Sequence, residues 1–137
     1  MNHHPVFQPI LNTSLPHGFR YIRLVRARDH QYPEGDNKIA YIMIAPLDSE
    51  SRIDAELYRK HREACRVVRR RPGQEDSLGH LVHGPGRGWR FHYDLATGAP
   101  DEAGNHFDDQ RFEPVEYVSV READGLNIYR VVSVLPL

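Results

Sequence analysis

SRIDAELYRKHREACRVVRRR, residues 51–71, is the stretch on which the fold turns. It runs without proline or glycine until Pro72-Gly73 stops it. Ser51 can cap a helix N-terminus, and Asp54, three residues on, makes an acidic variant of the capping box. At about 100° per residue, Ile53, Leu57, His61, Ala64, Cys65 and Val68 fall on one side. The spacing predicts one long amphipathic helix over 51–71, its apolar stripe packed on a sheet.

Upstream, Phe19 to Arg28 reads as a strand with apolar groups mid-strand on both faces. Lys38 to Ala45 lacks polar alternation, as a strand covered on both faces does, and Pro46 ends it. Residues 1–18, with Pro5, Pro9 and Pro16, read as an extended lead-in, Val6 to Leu11 being a candidate edge strand. Downstream, Gly79 to His83 and Gly88 to Leu95 flank a Gly-Pro-Gly-Arg loop. In the second of these, Trp89, Phe91, Tyr93 and Leu95 alternate with Arg90, His92 and Asp94, the pattern of a half-buried strand. Residues 96–114 read as one long acidic loop. Val115 to Glu122 and Asn127 to Leu135 form a hairpin across Ala123-Asp124-Gly125. Short turns between neighbouring strands favour antiparallel pairing. The expected architecture is a single α+β domain over 1–137. It is a curved, mainly antiparallel sheet or partial barrel of six to seven strands, with one long amphipathic helix after the second main strand.

Composition bounds the function. The single Cys65 excludes an intramolecular disulfide framework and a cysteine zinc site, and it suits a reducing cytoplasm. No run of about 18 apolar residues exists, so no membrane role is expected. Met1-Asn2-His3-His4-Pro5 lacks a basic region followed by an apolar run, so no secretory leader is expected either. The net charge of -1 excludes a uniformly basic, histone-like protein, but it hides segregation. Residues 52–90 hold ten basic and five acidic groups, whereas residues 91–137 hold three basic and nine acidic.

On the predicted helix, Arg52, Arg59 and Arg66 lie nearly in line, with Arg62, Arg69 and Arg70 beside them; Arg87 adds a loop contact. Arginine suits bidentate contacts to carboxylate or phosphate. The expected use is binding a protein partner or a second copy of the chain, ahead of nucleic acid. An ordinary solvated helix face, partly neutralised by Glu56 and Glu63, explains the same pattern. The acidic Asp101, Glu102, Asp108 and Asp109 could answer the arginines within the fold or across a dimer.

Nine histidines invite a search for proton or metal chemistry. His80 and His83, three apart on a strand, point to opposite faces and cannot chelate together. If residues 84–88 form the hairpin loop, His83 faces Trp89 and His80 faces His92. His80, Arg90, His92 and Asp94 then share the face away from the aromatic residues. His80, His92 and Asp94 are the catalytic candidates of an alternative reading, as acid–base groups or ligands of a divalent metal, with the 96–114 loop as lid. Polar residues on a wet face explain them equally, and a one-residue slip of register dissolves the group. His61 and Cys65 fall on the predicted helix's inner side, which favours packing over nucleophilic chemistry. The 84–88 loop lacks the lysine and Ser/Thr of a phosphate loop, no Gly-x-Ser-x-Gly elbow is present, and the acidic stretch lacks EF-hand spacing. No cofactor is implied. The leading expectation is a small soluble binding or interaction domain without catalysis, the enzyme and nucleic-acid readings being the alternatives.

Overall fold

The computed structural model of the protein describes residues 15–84, 88–94 and 100–137. The candidate edge strand at 6–11, Arg87, Leu95 and the first part of the expected lid lie outside them. Eight strands follow one another: β1 (Phe19–Arg26), β2 (Asp36–Pro46), β3 (Arg66–Arg70), β4 (Ser77–Gly84), β5 (Gly88–Tyr93), β6 (Glu102–Asn105), β7 (Tyr117–Glu122) and β8 (Gly125–Pro136). Each pairs antiparallel with the next, and β8 returns to pair with β1, closing an up-and-down barrel. Closure leaves no strand edge in need of a partner.

This overturns the α+β expectation and its long helix. Within residues 51–71, α1 (Ala55–Lys60) is a six-residue helix, a 3-10 turn follows at Arg62–Ala64, and the rest is β3. Asp54, not Ser51, caps α1, its carboxylate accepting from the backbone N–H groups of Glu56 and Leu57. His61 leaves the helical region at φ -139°, ψ 45°. Beyond it, Val67 and Val68 face opposite sides of the barrel wall, and both are buried. A strand between β2 and β4 satisfies both β-branched residues at once. On a helix, Val67 would point away from the apolar stripe. The second unexpected strand, β6, lies inside the expected loop. Its sequence, Glu-Ala-Gly-Asn, has no intrinsic strand preference and is held by β5 and β7.

The register sets what faces the lumen. Ile22, Met43 and Val67 lie opposite one another across β1, β2 and β3, and Leu24, Tyr41 and Arg69 form the next row. Leu81 faces Phe91, and Val118 faces Tyr129. The two barrel ends differ in chemistry. At one end, α1 and the 106–116 segment close the lumen with aromatic rings. Tyr58 stands edge-on to Trp89 at 4.8 Å, and Phe107 packs edge-on to Phe112 at 5.2 Å and to Phe91 at 6.0 Å. Gly104 on β6 makes room for this plug, since a Cβ there would fall 2.4 Å from the Phe107 ring. The Phe112 N–H donates to the Ser51 carbonyl at 2.8 Å, tying the plug to the segment before α1. At the other end the interior turns polar. No helix among the described residues is long and apolar enough to cross a membrane.

Candidate ligand pocket

The polar end is built by strand alternation. Tyr41 of β2, Arg69 of β3, Tyr93 of β5, Glu102 of β6, Glu122 of β7, and Asn127 and Tyr129 of β8 continue the inward rows that hold apolar side chains deeper down. The Tyr41 hydroxyl sits between two carboxylates, 2.7 Å from Glu102 Oε1 and in contact with Glu122 Oε2. Tyr93 donates to Glu102 Oε1 and Tyr129 to Glu122 Oε2, each at 2.6 Å. Arg69 Nε donates to Glu102 Oε2 at 3.1 Å, and Arg71 Nη2 to Glu122 Oε2 at 2.7 Å. Asn127 Nδ2 bridges Glu122 and Asp124, and its Oδ1 accepts from Arg26 Nη2 at 3.3 Å. Arg26 Nη2 also donates to Asp29 Oδ2 at 2.6 Å, and its guanidinium lies 4.6 Å over the Tyr32 ring.

A barrel lumen cannot hold a lone charge cheaply, and each inward carboxylate has an arginine and at least two phenols around it. Burial, reinforced by the negative groups beside them, pushes the Tyr41, Tyr93 and Tyr129 hydroxyls far above the ordinary phenol range. They therefore act as neutral hydrogen-bond donors across the physiological range. Hydrogen-bonded networks of this kind hold a core in one arrangement.

Over the network lies a pocket of about 330 Å³, walled by Arg26, Tyr32, Asp36, Ile39, Arg69, Arg71, Pro72, Gln74 and the residues of the β7–β8 turn. Arg26 forms part of this wall while being only 5% exposed, and its Nε is buried with no partner among the described residues.

Of the candidates read from sequence, Arg69 lines this pocket, and the other described ones lie elsewhere. The register does set His80 opposite His92 and His83 opposite Trp89. His80 Nδ1 lies 2.9 Å from Asp94 Oδ1, whereas His92 Nδ1 lies 2.8 Å from a different carboxylate, Asp101 Oδ1, which also takes Arg90. These are two separate pairs on the barrel's outer wall, and no group of three metal-ligating side chains forms among the described residues. The arginines do not share one helix face, because the helix ends before most of them. Arg69 points inward to Glu102, and Arg70, its neighbour on β3, points outward to Asp76. Arg52 reaches Glu50 and the Asp109 carbonyl. Arg59, Arg62 and Arg66 are exposed on three successive elements with no ion-pair partner among the described residues. The acidic stretch answers part of the basic block inside the fold, through Glu102 with Arg69 and Asp101 with Arg90.

The sequence reading named Glu102 only as a possible partner of the arginines, and missed Tyr41, Arg26, Arg71, Glu122 and Asn127. One signal was present: Val118, Val120 and Glu122 share a parity, as do Asn127, Tyr129 and Val131. A charged or amide group thus sits on the apolar side of each hairpin strand.

Comparison with protein families, with curated proteins and with solved structures finds no match.

Cys65, one turn after His61 in the expected helix, is instead buried between the 3-10 turn and β3. Burial first, and Glu63 second, push its thiol up to about 12. The thiolate is the reactive form. Cys65 in the native protein is therefore expected to resist a disulfide reagent such as DTNB at pH 8 and to react at once in denaturant. Rapid native-state labelling would show that the thiol is accessible.

Proposed function

We propose that this chain is a small-molecule-binding barrel that takes its ligand at the polar end and performs no chemistry on it. The observation that carries the reading is the pocket of about 330 Å³ at the mouth of a closed barrel, with the buried, unpartnered Arg26 Nε in its wall. Eight strands enclose a lumen that side chains just fill or that holds one small ligand. Here rings fill one end and the other carries the pocket, whose size lies at the small end of the range for ligand sites. A binding role without catalysis is supported by saturated carboxylates: both oxygens of Glu102 and of Glu122 accept hydrogen bonds from their own neighbours.

An aqueous compartment fits this reading. Arg23, Arg90, Arg121 and Arg130 stand at outward register positions, where a lipid-facing barrel carries an apolar band. The free, buried cysteine is in keeping with the reducing cytoplasm. Exposed Arg59, Arg62 and Arg66 leave room for an acidic protein partner or a second copy of the chain as a further, separate contact.

A fragment-library titration followed by ¹H–¹⁵N NMR tests the proposal. Binders are expected to move the Arg26, Tyr32, Gln74 and Asn127 amides saturably, leaving those of α1 in place. Shifts confined to the outer His80/His92 wall would return the function to that face.

A further inference from the structure

We infer that the pocket selects a neutral carbonyl compound with a compact apolar body, rather than an anion or a cation. This rests on the ligand-binding reading above and names its ligand class.

The buried acceptors around the pocket are engaged. Glu122 Oε2 takes Tyr41, Tyr129 and Arg71, and its Oε1 takes Asn127. Glu102 takes Tyr93 and Arg69, and the single Tyr41 proton is shared between Glu102 and Glu122. The donors are not. Arg69 uses only its Nε among the described residues, and Arg26 leaves Nε unpaired although buried. A buried donor without an acceptor is destabilising, so the wall favours a guest that brings acceptors. An ammonium brings only donors and leaves the Arg26 Nε and the remaining Arg69 donors unanswered, so a cation does not fit.

Charge then separates an anion from a neutral acceptor. Each guanidinium already has its own carboxylate: Arg26 with Asp29, Arg69 with Glu102, Arg71 with Glu122. Asp36 and Asp124 also stand on the pocket wall and form no ion pair among the described residues; Asp36 lies opposite Arg26 in the β1–β2 register and accepts from the Lys38 backbone, and Asp124 accepts from the Asn127 amide. An oxyanion entering past them is repelled by two carboxylates and finds no uncompensated cation within. A carbonyl oxygen accepts the same hydrogen bonds without that repulsion. Tyr32, Ile39 and Pro72 offer apolar wall for the rest of the molecule. Because Nε is shielded in the wall, engaging it turns the Arg26 guanidinium against its Asp29 and Asn127 contacts.

Three probes sharing one ring test this: acetophenone, benzoate and benzylamine, each titrated into the ¹⁵N-labelled full chain with arginine Nε–H resonances followed. Acetophenone is expected to shift Arg26 Nε–H and the Asn127 side-chain amide saturably, and to bind at least about tenfold tighter than either charged probe. Arg26→Lys keeps the charge and removes Nε, and is expected to weaken acetophenone by about tenfold. Arg69→Lys, a second variant, covers the case in which the first fails to fold, and is expected to weaken acetophenone in the same direction. Tighter binding of benzoate or benzylamine at the same resonances would overturn the ligand class and leave the pocket standing. No pocket shift from any of the three would overturn both readings.

Discussion

Glu122→Ala is expected to destabilise the protein by about 3–5 kcal/mol, the cost of stranding a buried charge. The Glu122 side chain is 7% exposed and that of Arg71 13%. Removing the carboxylate leaves the Arg71 guanidinium facing the Tyr41 ring with no counter-charge, and takes the acceptor from Tyr129 and Asn127. For a domain of this length the midpoint of thermal unfolding should fall by on the order of 10–20 °C. Two further variants separate a stranded charge from lost packing. Glu122→Gln retains an acceptor and should be clearly less damaging. Arg71→Met added to Glu122→Ala should recover part of the loss, because the uncompensated charge goes with it. A single-variant loss below about 1 kcal/mol in urea unfolding, the level of an exposed ion pair, would mean that the network is solvated.

Phe107→Ala is the second large loss, at about 3–5 kcal/mol. The ring is 1% exposed and wedged between Phe91 and Phe112 over the bare Gly104 backbone. Its removal opens a cavity at the apolar end and releases the 106–116 segment that closes the lumen. Hydrogen exchange should therefore quicken first at the Phe112 N–H, whose bond to the Ser51 carbonyl depends on the plug. The polar end should keep its resonances, since the inward rows between the ends are untouched. Equal loosening at Tyr41 and Tyr129 would show that the two ends unfold as one unit.

The two variants probe the same division of the lumen. Apolar rings close one end and supply packing free energy. The other end gives up apolar burial for a hydrogen-bonded network, which leaves room above it for a guest. A barrel filled with rings at both ends would be easier to stabilise and would have nowhere to bind.

How much of this was legible depends on how local each decision was. β1 and β2 show as apolar runs, and the β7–β8 hairpin as a turn between alternating segments. The β4–β5 register, which sets His80 against His92, follows from the length of its loop. In each case the partners are near in sequence and the side-chain period is clean. Residues 51–71 were not legible, because Val68 lies at helical spacing from Ala64 and Cys65 and is also the outward partner of Ile42 on β2. Period alone does not separate these readings; the β2 and β4 ladders on either side of β3 do. For β6, neither composition nor pattern suggests a strand, and its pairing comes entirely from its neighbours. The His80–His92 register held, but each histidine pairs with a different carboxylate on the outer wall, and the arginine line needed a helix that ends at Lys60, so those arginines stand on separate elements.

By itself the sequence determined the antiparallel pairing of strands joined by short turns, the parity of their apolar positions and the segregation of charges, because these depend on composition and on residues close along the chain. Closure of the barrel was decided only in the tertiary structure, since it pairs Arg20 with Pro136 across almost the whole chain. The pocket was decided there too. Tyr41, Glu102 and Glu122 come from strands far apart in sequence, and they meet because a closed sheet turns every inward residue at one level toward the same axis.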